Sequence, residues 1–139
     1  MRRLPRVKGG RREMDSLLKH KRFWILCGAA FVALVVYLSL TPHPLDVPSV
    51  YDLKTGHMLA YAWLMFWFSQ IYRRPWQRVG FALGFLALGI ALEYVQGWVG
   101  RDFAYTDMRD DGFGIAIGAL LALTPLGGTL AMIERWLRA

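Results

Sequence analysis

The sequence predicts an all-α integral membrane protein in which four transmembrane helices form a small bundle, with the N-terminus and the C-terminus both cytoplasmic. Three observations predict this class. The hydrophobic residues, 55% of 139, are concentrated in four long blocks. These blocks approach the roughly 20 apolar residues that a helix needs to cross a bilayer core of about 30 Å. The segments between the blocks alternate in charge, as expected when successive loops lie on opposite sides of a membrane.

A basic tail, residues 1–22, precedes the first block. It holds nine of the 17 lysines and arginines of a chain whose net charge is +7. A basic run beside an apolar helix is a topology signal or a contact for anionic lipid, which explains the charge more simply than nucleic-acid binding does. We therefore expect no nucleic-acid partner. Met14 is a second candidate start for translation, and a start there would remove six of the nine cations.

Residues 23–136 form the predicted transmembrane domain. The first helix, 23–40, is followed by Thr-Pro-His-Pro, which stops a helix, and it reads as a retained signal anchor because no cleavage motif follows. The second and third helices, 57–72 and 79–98, are joined by a short arginine-rich turn. The fourth helix covers 112–133 and is interrupted by Pro125 and Gly127-Gly128, which membrane helices tolerate.

The charge of each loop predicts its side of the membrane. Residues 41–56 have a net charge of −1 and residues 99–111 of −2, whereas the turn after the second helix has three arginines and no acid. The basic segments are therefore predicted to be cytoplasmic, with Trp24, Trp76 and Trp136 at the inner interface and Trp98 at the outer one. The alternative is three spans with the short second helix lying flat. The predicted location is the bacterial plasma membrane, in multi-pass form.

Polar residues gather at the predicted outer ends of three helices. Within each group the spacing is mostly three or four residues, so the side chains share a helical face. Ionisable residues next to a membrane span are costly and indicate a functional site by default. We predict an outward-facing pocket near the glycines Gly114 and Gly118, which allow close helix approach. Its ligand-binding residues are predicted to be Asp52, Lys54, His57, Tyr61, Glu93, Gln96, Arg101, Asp107 and Asp111.

Several of these residues also have a purely structural interpretation. Asp107 and Asp111 could cap the fourth helix and complement its positive end. His57 could bond a backbone carbonyl, and Lys54 could extend to the membrane surface. Tyr61, with the aromatic residues that follow it, could serve packing alone. These alternatives stay open from the sequence.

Glu93 is the residue that a structural interpretation explains least. It is the one acid inside an apolar block, and Gly89 continues its helical face. An acid at that depth either pairs with a base or takes up a proton. The sequence offers Lys54, Arg101 and His57 as partners.

The order of these residues resembles the VanZ-like family of membrane proteins. The likeness spans about residues 52–118 and departs at one position, since the family usually has Asn where Asp111 stands. The family is named for a protein associated with resistance to teicoplanin, a glycopeptide that acts outside the membrane. The resemblance therefore implies a helical protein of the cell envelope with a link to antibiotic resistance. It rests on Asp52-x-Lys54-x-x-His57-x-x-x-Tyr61, Glu93-x-x-Gln96, Arg101 and Asp107-x-x-x-Asp111-x-x-Gly114-x-x-x-Gly118.

Three functions remain open at this point. In the first, the pocket binds the head group of an envelope lipid or an amphiphilic compound. In the second, the protein is an enzyme, in which His57, Glu93 and Asp107 supply acid–base groups or hold a divalent metal with Asp111. In the third, the chain is a structural or accessory subunit. The sequence contains neither a G-x-S-x-G nor an H-E-x-x-H motif. The sequence does not identify a cofactor. The candidate partners are membrane lipids, a lipid-linked or amphiphilic ligand and further copies of the chain.

Overall fold

The computed structural model describes residues 18–41, 53–100 and 103–139, and these ranges are almost entirely helical. No strand occurs within them, so the predicted all-α class is confirmed for this part of the chain. We number the helices α1 to α5, with a short 3-10 helix, Pro125–Gly128, before the last. Their bounds are α1 Lys21–Leu40, α2 Leu53–Ile71, α3 Pro75–Trp98, α4 Tyr105–Leu123 and α5 Thr129–Leu137.

Three helices begin at least four residues earlier than their apolar blocks do, and α1 begins two residues earlier. α2, α3 and α4 start at Leu53, Pro75 and Tyr105, where the sequence predicts starts at 57, 79 and 112. The predicted bounds follow hydrophobicity, whereas helical hydrogen bonds continue through the polar residues at the helix ends. Pro75 suits the first position of α3 because a helix leaves that N–H unpaired in any case. Of the predicted basic tail, residues 1–17 lie outside the described ranges.

The predicted fourth helix is divided in two. α4 ends at Leu123, and the hydroxyl of Thr124 accepts a hydrogen bond from the Leu126 N–H at 3.3 Å. A Cβ at Gly127 would collide with the carbonyl of Ala122, so this turn requires a glycine. The segment after the break bends by 75° away from α4. The interruption predicted at Pro125 is confirmed, and it turns α5 across one end of the bundle.

α2 is the central helix. It packs against α1, α3 and α4, and most of its side chains beyond Tyr61 are buried. Gly114 and Gly118 of α4 lie against its backbone, where added Cβ atoms would collide with the carbonyl oxygens of Met58 and Ala62. Small residues at this spacing let two membrane helices approach closely. The close approach predicted from these two glycines is confirmed.

Two helices in the described ranges, α1 and α3, are long and apolar enough to cross a membrane, and the bent pair of α4 and α5 provides a third span if it is counted as one. Large apolar side chains such as Leu26, Leu83 and Leu120 are exposed on their outer faces. An apolar surface of this extent is typical of a protein that faces lipid. The structure thus has two or three candidate spans where the sequence predicts four.

The two ends of the bundle differ in charge. At one end the start of α1, the turn between α2 and α3, and α5 meet; we name it the basic end. Its cationic side chains among the described residues are Lys19, Lys21, Arg22, Arg73, Arg74, Arg78, Arg135 and Arg138. At the other end, which we name the acidic end, the starts of α2 and α4 meet the last turns of α3. It carries His57, Glu93, Asp107 and Asp111.

Candidate functional site

The candidate site lies at the acidic end and is centred on a contact between α2 and α4. The Nδ1 atom of His57 lies 3.6 Å from Oδ1 of Asp111. The side chain of His57 is 19% exposed and that of Asp111 is 2% exposed. The close approach at Gly114 brings the two helices near enough for this contact. The pair therefore joins a partly accessible base to a buried acid.

Tyr61 lies one helical turn beyond His57 and approaches the same carboxylate. Its hydroxyl and Oδ1 of Asp111 are buried and have no hydrogen-bond partner among the described residues. Both side chains pack on Gly89 of α3, where a Cβ would lie 2.6 Å from Oδ2 of Asp111 and 3.3 Å from the Tyr61 hydroxyl. Gly89 therefore makes room for the carboxylate, as its place on the predicted face of Glu93 indicated. The packing interpretation of Tyr61 accounts for its ring but leaves its hydroxyl unexplained.

Glu93 is buried one turn beyond Gly89. Its Oε2 accepts a hydrogen bond from the backbone N–H of Ala104 at 3.2 Å. Gly100, with a φ of +81°, ends α3 in a conformation that reverses the chain, so the segment before α4 returns over the end of α3. The partner that the structure gives Glu93 is therefore a backbone N–H. Of the predicted partners, Arg101 and the side chain of Lys54 lie outside the described ranges, so the predicted ion pair with either stays a prediction.

Asp107 lies one turn before Asp111 on α4 and is partly buried, so it adds a second carboxylate to this end. The N-cap of α4 is Ala104, and no side chain caps the helix. The capping interpretation of the aspartates is therefore wrong, although Asp107 in the first turn complements the helix dipole. Asp110 points elsewhere and pairs with Arg109 at 3.3 Å.

Gln96 is predicted to line the pocket, but the structure gives it another role. Its amide Nε2 donates to the backbone carbonyl of Ser39 at 2.9 Å, and both residues are buried. Three residues along a helix turn through about 300°, so Gln96 lies about 60° around α3 from Glu93. That rotation directs it towards α1, where it joins the two helices.

The remaining predicted residues cannot be placed in this site. Asp52 and Arg101 lie outside the described ranges, and so does the side chain of Lys54. Within those ranges no three His, Cys, Asp or Glu side chains are arranged to hold a metal ion, so the predicted metal set is not assembled. The described site suits hydrogen bonding and proton transfer. It brings together His57, Tyr61, Glu93, Asp107 and Asp111.

A second buried carboxylate, at the basic end, is not among the predicted residues. Glu134 of α5 accepts hydrogen bonds from the backbone N–H groups of Lys19 and His20, at 2.8 and 2.9 Å. It also accepts one from the indole N–H of Trp24 at 2.7 Å, and Arg138 lies 3.6 Å away. These contacts fix α5 to the start of α1.

One sequence signal could have identified Glu134. It follows the buried residues Leu130 and Ala131 at helical spacing, so it is an acid on the apolar face of an amphipathic helix. Trp24, which is predicted to mark the inner interface, lies at the basic end with its side chain buried and its indole directed to Glu134.

Comparison of the chain with protein-family models, with curated proteins and with solved structures finds no match. The resemblance to the VanZ-like family therefore stays a prediction that rests on the spacing of polar residues. The function of the site has to be inferred from its own geometry.

Proposed function

We propose that this chain is a multi-pass membrane protein that binds the polar head group of an envelope lipid, a lipid-linked compound or an amphiphilic antibiotic at its acidic end. One observation carries the proposal: the Tyr61 hydroxyl and Oδ2 of Asp111 both lie against Gly89. That hydroxyl and the other oxygen of the same carboxylate, Oδ1, are buried without a hydrogen-bond partner among the described residues, and the nearest described base to Oδ1 is His57 at 3.6 Å. Each unpaired buried polar group costs about 1–3 kcal/mol. A ligand that supplies the missing partners would recover that free energy.

His57 supports the proposal because it connects this buried pair to the outside. Its side chain is the more exposed member of the His57–Asp111 contact. With Nδ1 directed at Asp111, the ring offers Nε2 to a ligand: this atom accepts from a hydroxyl when the ring is neutral and donates to a phosphate when the ring is protonated. A ligand therefore meets His57 first and reaches the carboxylate beneath it.

The proposed topology has four spans, with the acidic end outside. The basic end holds eight cationic side chains and one carboxylate among the described residues, and positive charge stays on the cytoplasmic side. α2 is too polar to qualify as a span by its own composition. It is surrounded by α1, α3 and α4, so we infer that it crosses the membrane inside the bundle, where few of its side chains face lipid.

Acid–base catalysis on a lipid head group is the second candidate, and the His57–Asp111 contact favours it. A carboxylate beside an imidazole orients the ring and supports its protonated form, which is the arrangement of a proton-transferring pair. Binding and catalysis differ in one measurable respect, since only catalysis changes the bound molecule.

The test is a binding measurement on the purified full chain in lipid nanodiscs, with teicoplanin and undecaprenyl phosphate as probes. Tyr61→Phe, Glu93→Gln and Asp107→Asn are each expected to weaken the binding of a probe about tenfold, the effect of losing one good hydrogen bond. Asp110→Asn is the matched control, because its carboxylate pairs with Arg109 outside the site. In cells that carry the gene, teicoplanin tolerance is expected to fall with the same three variants.

Each alternative predicts a different result. Wild-type binding by all three variants at normal abundance would exclude the binding function. Conversion of undecaprenyl phosphate to a new species by the wild type would replace binding with catalysis. A structural subunit predicts that Glu93→Gln lowers the amount of protein in the membrane without any separate loss of binding.

A further inference from the structure

An open apolar groove of about 600 Å³ runs along α3, starting at the basic end. Tyr72 and Trp76 lie at its mouth and Leu88 at its far end. Leu88 is twelve positions beyond Trp76, and each step along a helix rises about 1.5 Å, so the groove is about 18 Å long. One leaflet contributes about 15 Å of hydrocarbon to a bilayer core of about 30 Å. The groove therefore has the length of one leaflet.

The walls and floor of the groove are already formed. Phe81 stacks on the buried ring of Phe68 with the centroids 4.9 Å apart, and Tyr72 packs on Phe81 at 4.8 Å. Gly80 and Gly84 form the floor, where a Cβ added to either residue would meet nothing within 4 Å. Hydrocarbon can therefore enter the groove without any rearrangement of the helix.

One cation contacts the mouth of the groove, and two more are sequence neighbours of its lining residues. The ammonium of Lys21 lies 4.7 Å from the centroid of the Tyr72 ring. Arg73 and Arg78 donate to backbone carbonyl oxygens at 3.1 and 2.9 Å, and these neutral acceptors leave the charge of both guanidinium groups uncompensated. The one carboxylate of this end in the described ranges, Glu134, is buried beneath the start of α1. An anion at the mouth would face Lys21, with Arg73 and Arg78 next in sequence to the lining residues Tyr72 and Gln77.

We propose that this groove binds an anionic phospholipid of the inner leaflet. One acyl chain lies along Gly80 and Gly84, and the phosphate faces Lys21 and the arginines of the adjacent turn. Gly80-x-x-x-Gly84 also has the spacing of helix dimers, so a second copy of the chain is the alternative occupant. A parallel partner helix would bring the same cations together, whereas a lipid phosphate neutralises them. Charge and length therefore both favour the lipid.

Native mass spectrometry of the purified full chain, supplied with phosphatidylglycerol or phosphatidylcholine, tests this proposal. The wild type is expected to bind phosphatidylglycerol about tenfold more tightly, because a cation near the phosphate contributes about 1 kcal/mol. Lys21→Gln is expected to weaken phosphatidylglycerol binding about fivefold, a loss of about that contribution. Arg22→Gln is its matched control, since Arg22 is a neighbouring exposed cation with no contact to Tyr72 among those the structure gives.

A second pair of variants tests the groove itself. Gly84→Leu fills the floor, where the open space permits a side chain, and is expected to remove the bound lipid. Ala29→Leu adds bulk to the exposed face of α1 and is expected to bind lipid as the wild type does. Equal binding of the two lipids by the wild type would overturn the proposal, as would phosphatidylglycerol binding that survives both Lys21→Gln and Gly84→Leu.

Loss of a dimer in Gly84→Leu, with lipid binding unchanged, would overturn the proposal in favour of a second copy. All of these variants lie away from the acidic end. Their results are therefore independent of whether a head group binds at His57 and Asp111.

Discussion

Both ends of the bundle bury a carboxylate, but the chain surrounds the two groups differently. At the basic end Glu134 is 2% exposed and accepts three N–H hydrogen bonds of 2.7 to 2.9 Å. At the acidic end Asp111 is 1% exposed, its nearest described base is 3.6 Å away, and its Oδ1 has no hydrogen-bond partner in the described ranges. Burial is the same, so it does not distinguish the two. The supply of donors does: it gives Glu134 a structural role, and it supports the proposal that Asp111 meets a ligand.

Two buried atoms at the basic end also lack hydrogen-bond partners among the described residues, but the difference between the two carboxylates remains. They are the hydroxyl of Ser69 and the Nε atom of Arg78. Arg78 still donates through Nη2 to the Ser69 carbonyl at 2.9 Å. A serine hydroxyl is neutral, and leaving it unpaired costs less than leaving a carboxylate unpaired. Among the described residues, only the acidic end has both a buried carboxylate oxygen without a hydrogen bond, Oδ1 of Asp111, and a second such group, the Tyr61 hydroxyl.

The largest expected effect is at the basic end. Glu134→Ala removes the acceptor of three buried donors, and we expect it to lower the free energy of unfolding by about 3 kcal/mol. Unfolding of the purified protein in mixed micelles by titration with sodium dodecyl sulfate measures this change. Asp110→Ala, which breaks the exposed pair with Arg109, is the control and should cost less than about 1 kcal/mol. Equal, small losses in both variants would show that Glu134 does not hold α5.

A smaller effect of opposite sign is expected at the acidic end. Asp111→Asn removes a buried charge that lacks a full set of donors, and it should leave the free energy of unfolding unchanged or raise it by up to about 2 kcal/mol. Asn is also the residue that the VanZ-like resemblance implies at this position. The same titration measures the change. If Asp111→Asn lowered the free energy of unfolding as much as Glu134→Ala does, the two carboxylates would have the same structural role.

The smallest effect concerns Gln96, whose amide the structure joins to the Ser39 carbonyl of α1. Gln96→Leu deletes the hydrogen bond to the Ser39 carbonyl and should lower the free energy of unfolding by about 1 kcal/mol. It should leave the binding of teicoplanin and undecaprenyl phosphate as in the wild type. Weakened binding of either probe without any loss of stability would show that Gln96 belongs to the binding site.

The sequence predicts the helices and the clustering at the acidic end because both depend on local patterns. Helical spacing places His57 beside Tyr61, and Gly89 beside Glu93, without knowledge of the fold. The break at Pro125 is local as well. Charge alternation then predicts which helix ends lie together.

The features that the sequence does not predict depend on contacts between distant residues. Trp24 and Glu134 are 110 positions apart, and no periodicity links them. The rotation of Gln96 towards Ser39 depends on where α1 packs, 57 positions away. The central place of α2 likewise follows from its neighbours, since its own composition does not qualify it as a span.

The bond between α5 and α1 also has a consequence for the order in which the protein is made. The ribosome releases α1 long before α5, so the N–H groups of Lys19, His20 and Trp24 have no acceptor in Glu134 until more than a hundred further residues have emerged. Until then the bundle stays open on its cytoplasmic face in the proposed topology. The packing of α5, a short amphipathic helix, against the start of α1 is therefore a late step in the assembly of the bundle.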